Sequence, residues 1–172
     1  EGYESAISCL KGGYDLLPND EAIKAKIAEY SEYQPVALYD LEYFNSGSSK
    51  QFGDKKFYRV DNGVKLNDGT TYEKGICMGY YEWEEYKIDG AYKVFTGRLG
   101  MSFEDRSANR VKESIKVYGD DVLLYTSTSF LGGVEPEDFS IDITGIDKLK
   151  IERQSAENHI TDLYMVNALL YK

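Results

Sequence analysis

The chain has 172 residues, 42% apolar and 29% charged, with a formal charge of −10 at pH 7. That balance supports one well-cored globular unit with a little chain left over. A surface this acidic repels phosphate backbones and anionic bilayers, which sets nucleic acid and membrane surfaces aside as partners.

No run approaches the roughly 20 apolar residues of a membrane-spanning helix. The first residue is Glu1, not Met, and it falls inside a helical pattern, so the chain is expected to be a piece of a longer protein. Cys9 and Cys77 form no CxxC pair, so zinc is not indicated and both are expected to be buried thiols.

Residues 1–33 carry helical periodicity. Tyr3, Ile7, Leu10 and Tyr14 fall on one helix face, and Ala6, Leu10, Gly13 and Leu17 form an overlapping row. Pro18-Asn19-Asp20 breaks the first helix and caps a second over 21–33, with Ile23, Ile27 and Tyr30 on its buried side. The small–large–small–proline spacing of Ala6, Leu10, Gly13 and Pro18 resembles the second half of a tetratricopeptide repeat. Residues 1–35 are therefore expected to be a helical hairpin, the end of a tetratricopeptide-like repeat region.

From Val36 the period changes to two. VALYDLEYF (36–44) alternates as a strand does, and the polar run 45–49 reads as a loop. Strand candidates follow at 56–60, 75–80, 85–89, 92–101, 113–118, 122–127, 139–143, 148–153 and 163–170, separated by Gly/Asp/Asn turns. Within 92–101, Phe95, Leu99 and Met101 face one way, and Gly97 between them marks a bulge or a close backbone approach. Many short strands with such turns predict a mainly β fold, an antiparallel sandwich over 36–172 of the jelly-roll or galactose-binding-like kind.

Four segments, in order, carry a family resemblance: NDGTTYEKGI (67–76), YKIDGAYKVFTGRLGM (86–101), IKVYGDDVLLYTS (115–127) and FSIDITGIDKLKI (139–151), with VNALL (166–170) closing the chain. Together they resemble the NPCBM family of carbohydrate-binding modules, found in bacterial glycoside hydrolases and surface proteins. The resemblance implies a β-sandwich, a non-catalytic sugar-binding role and an extracellular or cell-surface setting. The chain departs from the family's glycine motif, with Gly79 where members often carry His and Glu82 where they carry Ser.

Beside that motif, Tyr80, Tyr81, Glu82 and Trp83 combine aromatic faces with a carboxylate, the chemistry that grips a sugar ring and its hydroxyls. The alternative is a strand whose aromatics pack in the core. Arg106 and Asn109 in the loop after residue 101, and Asn158 and His159 in SAENHIT, are further candidate ligand contacts. The chain has one histidine and no nucleophile motif, so no catalytic residues are assigned. No cofactor is expected. Asp61-Asn62, Asn67-Asp68 and Asp120-Asp121 supply hard oxygens that leave a structural calcium open, although turn-forming Asp is the commoner explanation. The expected partner is a glycan. The alternative is a protein-interaction or sensor domain that keeps the fold without binding sugar.

Overall fold

A computed structural model describes residues 2–48, 57–79, 82–108, 112–130, 133–155 and 161–172. Two helices come first, α1 (Gly2–Leu16) and α2 (Glu21–Ser31). Asp20 caps α2 as the sequence predicts, its carboxylate accepting from the backbone N–H of Ala22 at 2.9 Å and of Ile23 at 3.1 Å. Ile7 is buried, and a Cβ on Gly13 would meet Ile23 Cδ1 at 3.7 Å, so the small residue stands opposite the second helix. Two expectations are corrected here. Ile23, Ile27 and Tyr30 are only half-buried, and α2 has no fully buried residue. Cys9 is exposed, because two residues past Ile7 is about 200° around the helix, on the opposite face. No helix among the described residues is long and apolar enough to cross a membrane.

The remainder is strand-built: β1 (Val36–Ala37), β2 (Asn45–Ser48), β3 (Tyr58–Val60), β4 (Val64–Lys65), β5 (Thr71–Tyr72), β6 (Gly75–Met78) and β7 (Glu82–Lys87). Then come β8 (Val94–Met101), β9 (Glu113–Gly119), β10 (Val122–Thr126), β11 (Glu137–Asp142), β12 (Lys148–Ser155) and β13 (Leu163–Tyr171). One sheet runs β11-β8-β13-β6-β3, with β1 also pairing to β13, and the other runs β10-β9-β12-β7-β2. All these pairs are antiparallel, as expected of a sandwich. Their inner faces share one core, with Phe95, Leu99, Met101, Phe139, Met165 and Leu170 from the first sheet and Tyr86, Ile115, Val117, Leu149 and Ile151 from the second.

The stretch 36–44 is not one strand. It leaves the sheet after Ala37, turns through a single 3-10 turn (Leu38–Asp40) that drives Leu38 to full burial, and crosses to the other sheet. The polar run expected to be a loop is instead the edge strand β2, paired to β7. An edge strand is held by backbone hydrogen bonds, which polar residues supply as well as apolar ones do. Likewise β4 and β5, too short to show alternation, form a hairpin over the outer face of the first sheet, where Val64, Leu66 and Val166 make a second small core.

Gly97 marks a close approach, not a bulge. It lies directly opposite Phe139, and a Cβ there would fall 2.6 Å from the ring's Cζ. The bulge is in β13, where the register against β8 shifts between Val166 and Leu169 and Asn167 takes a φ of 49°. The inserted residue resets the alternation, so Val166 serves the outer cluster while Ala168 and Leu170 still reach the main core.

Candidate functional site

The strand registers bring the ends of β6, β8 and β12 and the start of β7 to one end of the sandwich. Ser48 pairs with Glu82, Leu163 with both Met78 and Met101, and Ser155 with Glu113. The chain stretches after β6, β8 and β12 therefore leave from that common end. Of the candidate ligand residues, Tyr80, Tyr81, Asn109, Asn158 and His159 lie outside the described residues. Glu82, Trp83 and Arg106 lie within them.

A buried ion pair underlies this end. Arg153 Nε donates to Glu113 Oε2 at 3.1 Å, and the two side chains are 1% and 0% exposed. The other guanidinium nitrogens donate to the backbone carbonyl of Met78 and to Thr161, whose carbonyl accepts at 2.8 Å and whose hydroxyl accepts at 3.1 Å. One side chain thus ties β12 to β9, β6 and the approach to β13. Charged groups taken out of water this completely are tolerable only when paired and hydrogen-bonded in this way. Asp105 fastens the loop after β8 to the same end, accepting from the Ser102 hydroxyl at 2.9 Å and the Asp162 N–H at 2.7 Å.

On β7 the alternation sends Glu82, Glu84 and Tyr86 inward and Trp83 and Glu85 outward. Glu82 is therefore buried, at 5% exposure, and does not present its carboxylate to solvent. Trp83 is half-buried on the outer face of its sheet. Its indole lies on Gly47 of β2, where a Cβ would come within 2.6 Å of Cζ2, so glycine makes room for the ring. The Lys150 ammonium stands 4.7 Å from the Trp83 ring centroid and 5.5 Å from that of Tyr118. Glu152 lies 3.8 Å from Lys150 and accepts from Gln154 Nε2 at 2.7 Å. Trp83, Tyr118 and Lys150 form one outward surface near the loop-bearing end, with the Glu152 carboxylate buried among them at 8% exposure. Tyr118 and Lys150 were not selected from the sequence, where they read as ordinary alternating strand residues.

Arg106 is exposed and folds back on its own loop. Its Nη1 donates to the Phe103 carbonyl at 2.6 Å and its guanidinium carbon sits 4.0 Å from the Phe103 ring centroid, with Lys65 Nζ 3.9 Å from the same centroid. Arg106 follows β8 of one sheet and Trp83 belongs to the other, so the two share the end without sharing a face.

No three His, Cys, Asp or Glu side chains among the described residues gather as metal ligands. Two of the turn aspartates accept backbone N–H groups. Asp120 accepts from the N–H of Asp147 at 3.2 Å and of Lys148 at 2.9 Å, and Asp68 accepts from that of Thr70 at 2.8 Å and from Arg98 at 3.1 Å.

Among solved structures the chain is similar to the CBM51 module of a Clostridium perfringens GH95 protein in complex with methyl-galactose, at 18% identity and a TM-score of 0.63, over 80% of this chain and 99% of that one. It is similar to a Clostridium perfringens ZmpB fragment whose CBM51-2 module is in complex with GlcNAc, at 17% identity and a TM-score of 0.64, over 81% of this chain and 32% of that one. Tandem CBM51 modules of a family 98 glycoside hydrolase from Streptococcus pneumoniae match at 17% identity and a TM-score of 0.60, over 80% of this chain and 46% of theirs. At such identities the likeness establishes the sandwich fold. No curated protein sequence matches the chain. The NPCBM/NEW2 domain model matches residues 36–166, most of the chain and nearly all of the sandwich, and the chain therefore belongs to the NPCBM/NEW2 domain family.

Proposed function

We propose that this chain is a non-catalytic carbohydrate-binding module of a secreted or surface-associated bacterial protein, and that it takes a glycan at the loop-bearing end, against the flank that carries Trp83. Membership of the NPCBM/NEW2 family across the sandwich carries this reading. The site supports it in two ways. The buried Arg153–Glu113 pair gives the strand ends a rigid base. Trp83 and Tyr118 supply ring surface and Lys150 a hydrogen-bonding group of the kind a pyranose uses. A shallow outer surface buries little of a ligand, so the affinity is modest and comes from stacking and a few hydrogen bonds. The residues proposed to contact it are Trp83, Tyr118 and Lys150, while Arg106 stands on the side of the other sheet.

The test is a glycan array followed by titration of the single tryptophan's fluorescence. Binding is expected to change Trp83 emission, and Trp83→Ala should weaken it by about 1–2 kcal/mol, the scale of one aromatic contact. A folded protein that captures no glycan would defeat this reading and favour a protein-interaction domain on the same scaffold.

A further inference from the structure

We infer that the flank of the sandwich holds a second saccharide subsite, separate from the loop-bearing end, in the hollow between the crossing segment 38–43 and β3. The inference rests on the same reading of the module as sugar-binding but uses none of the same residues. The hollow has a volume of about 550 Å³ and is lined by Tyr39, Asp40, Glu42, Tyr43, Phe57 and Arg59, among others. That volume falls within the roughly 300–1,000 Å³ of small-molecule sites.

Its lining has a specific chemistry. Arg59 reaches into the gap between the sheets, where Nη1 meets Glu84 Oε2 at 3.1 Å, Nη2 donates to the Tyr86 hydroxyl at 2.8 Å and Nε donates to the Tyr39 carbonyl at 3.4 Å. Its side chain is 22% exposed while that of Glu84 is 3% exposed, so the guanidinium is held in place from behind and shows part of itself to the hollow. A guanidinium has five N–H groups; Nη1 also reaches Glu84 Oε1 at 3.5 Å, so the donor capacity beyond these bonds lies on Nη2. Glu84 cancels its charge, so the floor presents hydrogen-bond donors without a net positive field.

Asp40 and Glu42 are exposed on the rim and can accept from hydroxyls. Tyr43 adds a ring face at 42% exposure, while the half-buried Tyr39 ring carries the Lys74 ammonium 5.0 Å from its centroid. Two rim carboxylates on an acidic protein turn anions away, and the polar floor disfavours a purely apolar ligand. Pre-placed donors, acceptors and a ring face together fit a neutral polyhydroxylated ring, a pyranose or a short oligosaccharide.

Backbone amide NMR titration of the full chain with methyl-galactose, N-acetylglucosamine and mannohexaose, in wild type, Tyr43→Ala and Trp83→Ala, tests this. Tyr43 is exposed, so its truncation should leave the dispersed spectrum of the fold intact, and Glu42→Gln provides a second, nearly isosteric variant. At least one sugar is expected to shift amides of 39–43 and 57–59, with tenfold weaker binding in Tyr43→Ala, a smaller loss in Glu42→Gln and no loss in Trp83→Ala. Shifts confined to the loop-bearing end and indifferent to Tyr43→Ala would overturn the second subsite alone. Silence towards all three sugars would overturn the second subsite, and silence across the glycan array as well would overturn both readings. Shifts at the hollow with a lysine-rich peptide and with no sugar would assign it to a basic protein partner and overturn the saccharide inference.

Discussion

Arg153 and Glu113, forty residues apart in sequence, meet at 3.1 Å with exposures of 1% and 0% at the base of the loop-bearing end. Removing either partner strands the other charge in the core. Arg153→Met or Glu113→Gln should each cost about 3–5 kcal/mol in urea unfolding, and the double variant less than the sum. Single variants within 1 kcal/mol of wild type would show that the pair does not hold this end together.

Gly97→Ala should destabilise the sandwich even though alanine is normally the better residue in a strand. The added methyl would fall 2.6 Å from Phe139 Cζ, and the ring has little room to retreat because it packs edge-on against Phe95 with centroids 5.0 Å apart. Overpacking of this kind costs about 1–3 kcal/mol. The midpoint of thermal or urea unfolding reads it directly.

The two thiols should separate kinetically. Burial pushes the Cys77 thiol up to about 11, whereas Cys9 is exposed. Ellman's reagent at pH 8 is expected to modify Cys9 in the native protein and Cys77 only on unfolding, and Cys9→Ser should leave the native chain unreactive. Rapid native labelling of Cys9→Ser would contradict the buried placement of Cys77.

Glu137 couples the flank of the sandwich to pH. Burial pushes its carboxyl up, but hydrogen bonds from the Thr128 side chain, the Tyr125 hydroxyl and the Thr128 N–H outweigh it and hold the carboxyl below its ordinary value of 4.5. A carboxyl depressed in the folded state adds stability above its unfolded pKa, and that stability is lost as pH falls through the folded one. The urea midpoint of the wild type should therefore exceed that of Glu137→Gln near neutrality, and the difference should shrink on acidification below about pH 4.5. A difference that stays constant from pH 7 to pH 3 would rule out the carboxylate as its source.

Much of the sandwich is legible in one dimension. The alternation in 94–101, 113–119 and 148–153 marks the strands, the Gly/Asp turns mark their ends, and four motifs in order point to the family that the comparison confirms. The site is less legible. Trp83 can be read as an outward residue only once β7 is known to start at Glu82, and the same register turns Glu82 inward. Nothing near Gly47 announces that its missing side chain accommodates an indole from a strand more than thirty residues away.

The amino-acid sequence by itself determined the class of fold, its helical preface with the Asp20 cap, and the family, because these depend on periodicity and turn chemistry within a few residues. Only the tertiary structure decided that NSGS is an edge strand and VALYDLEYF a crossing segment, that Arg153 finds Glu113, and that Arg59 finds Glu84 beneath a hollow flanked by Tyr39 and Tyr43. The physical reason is that an edge strand is selected by the backbone groups its neighbour leaves unpaired, and a buried charge by the partner that closure of two sheets brings within reach. Neither leaves a periodic mark on the local sequence.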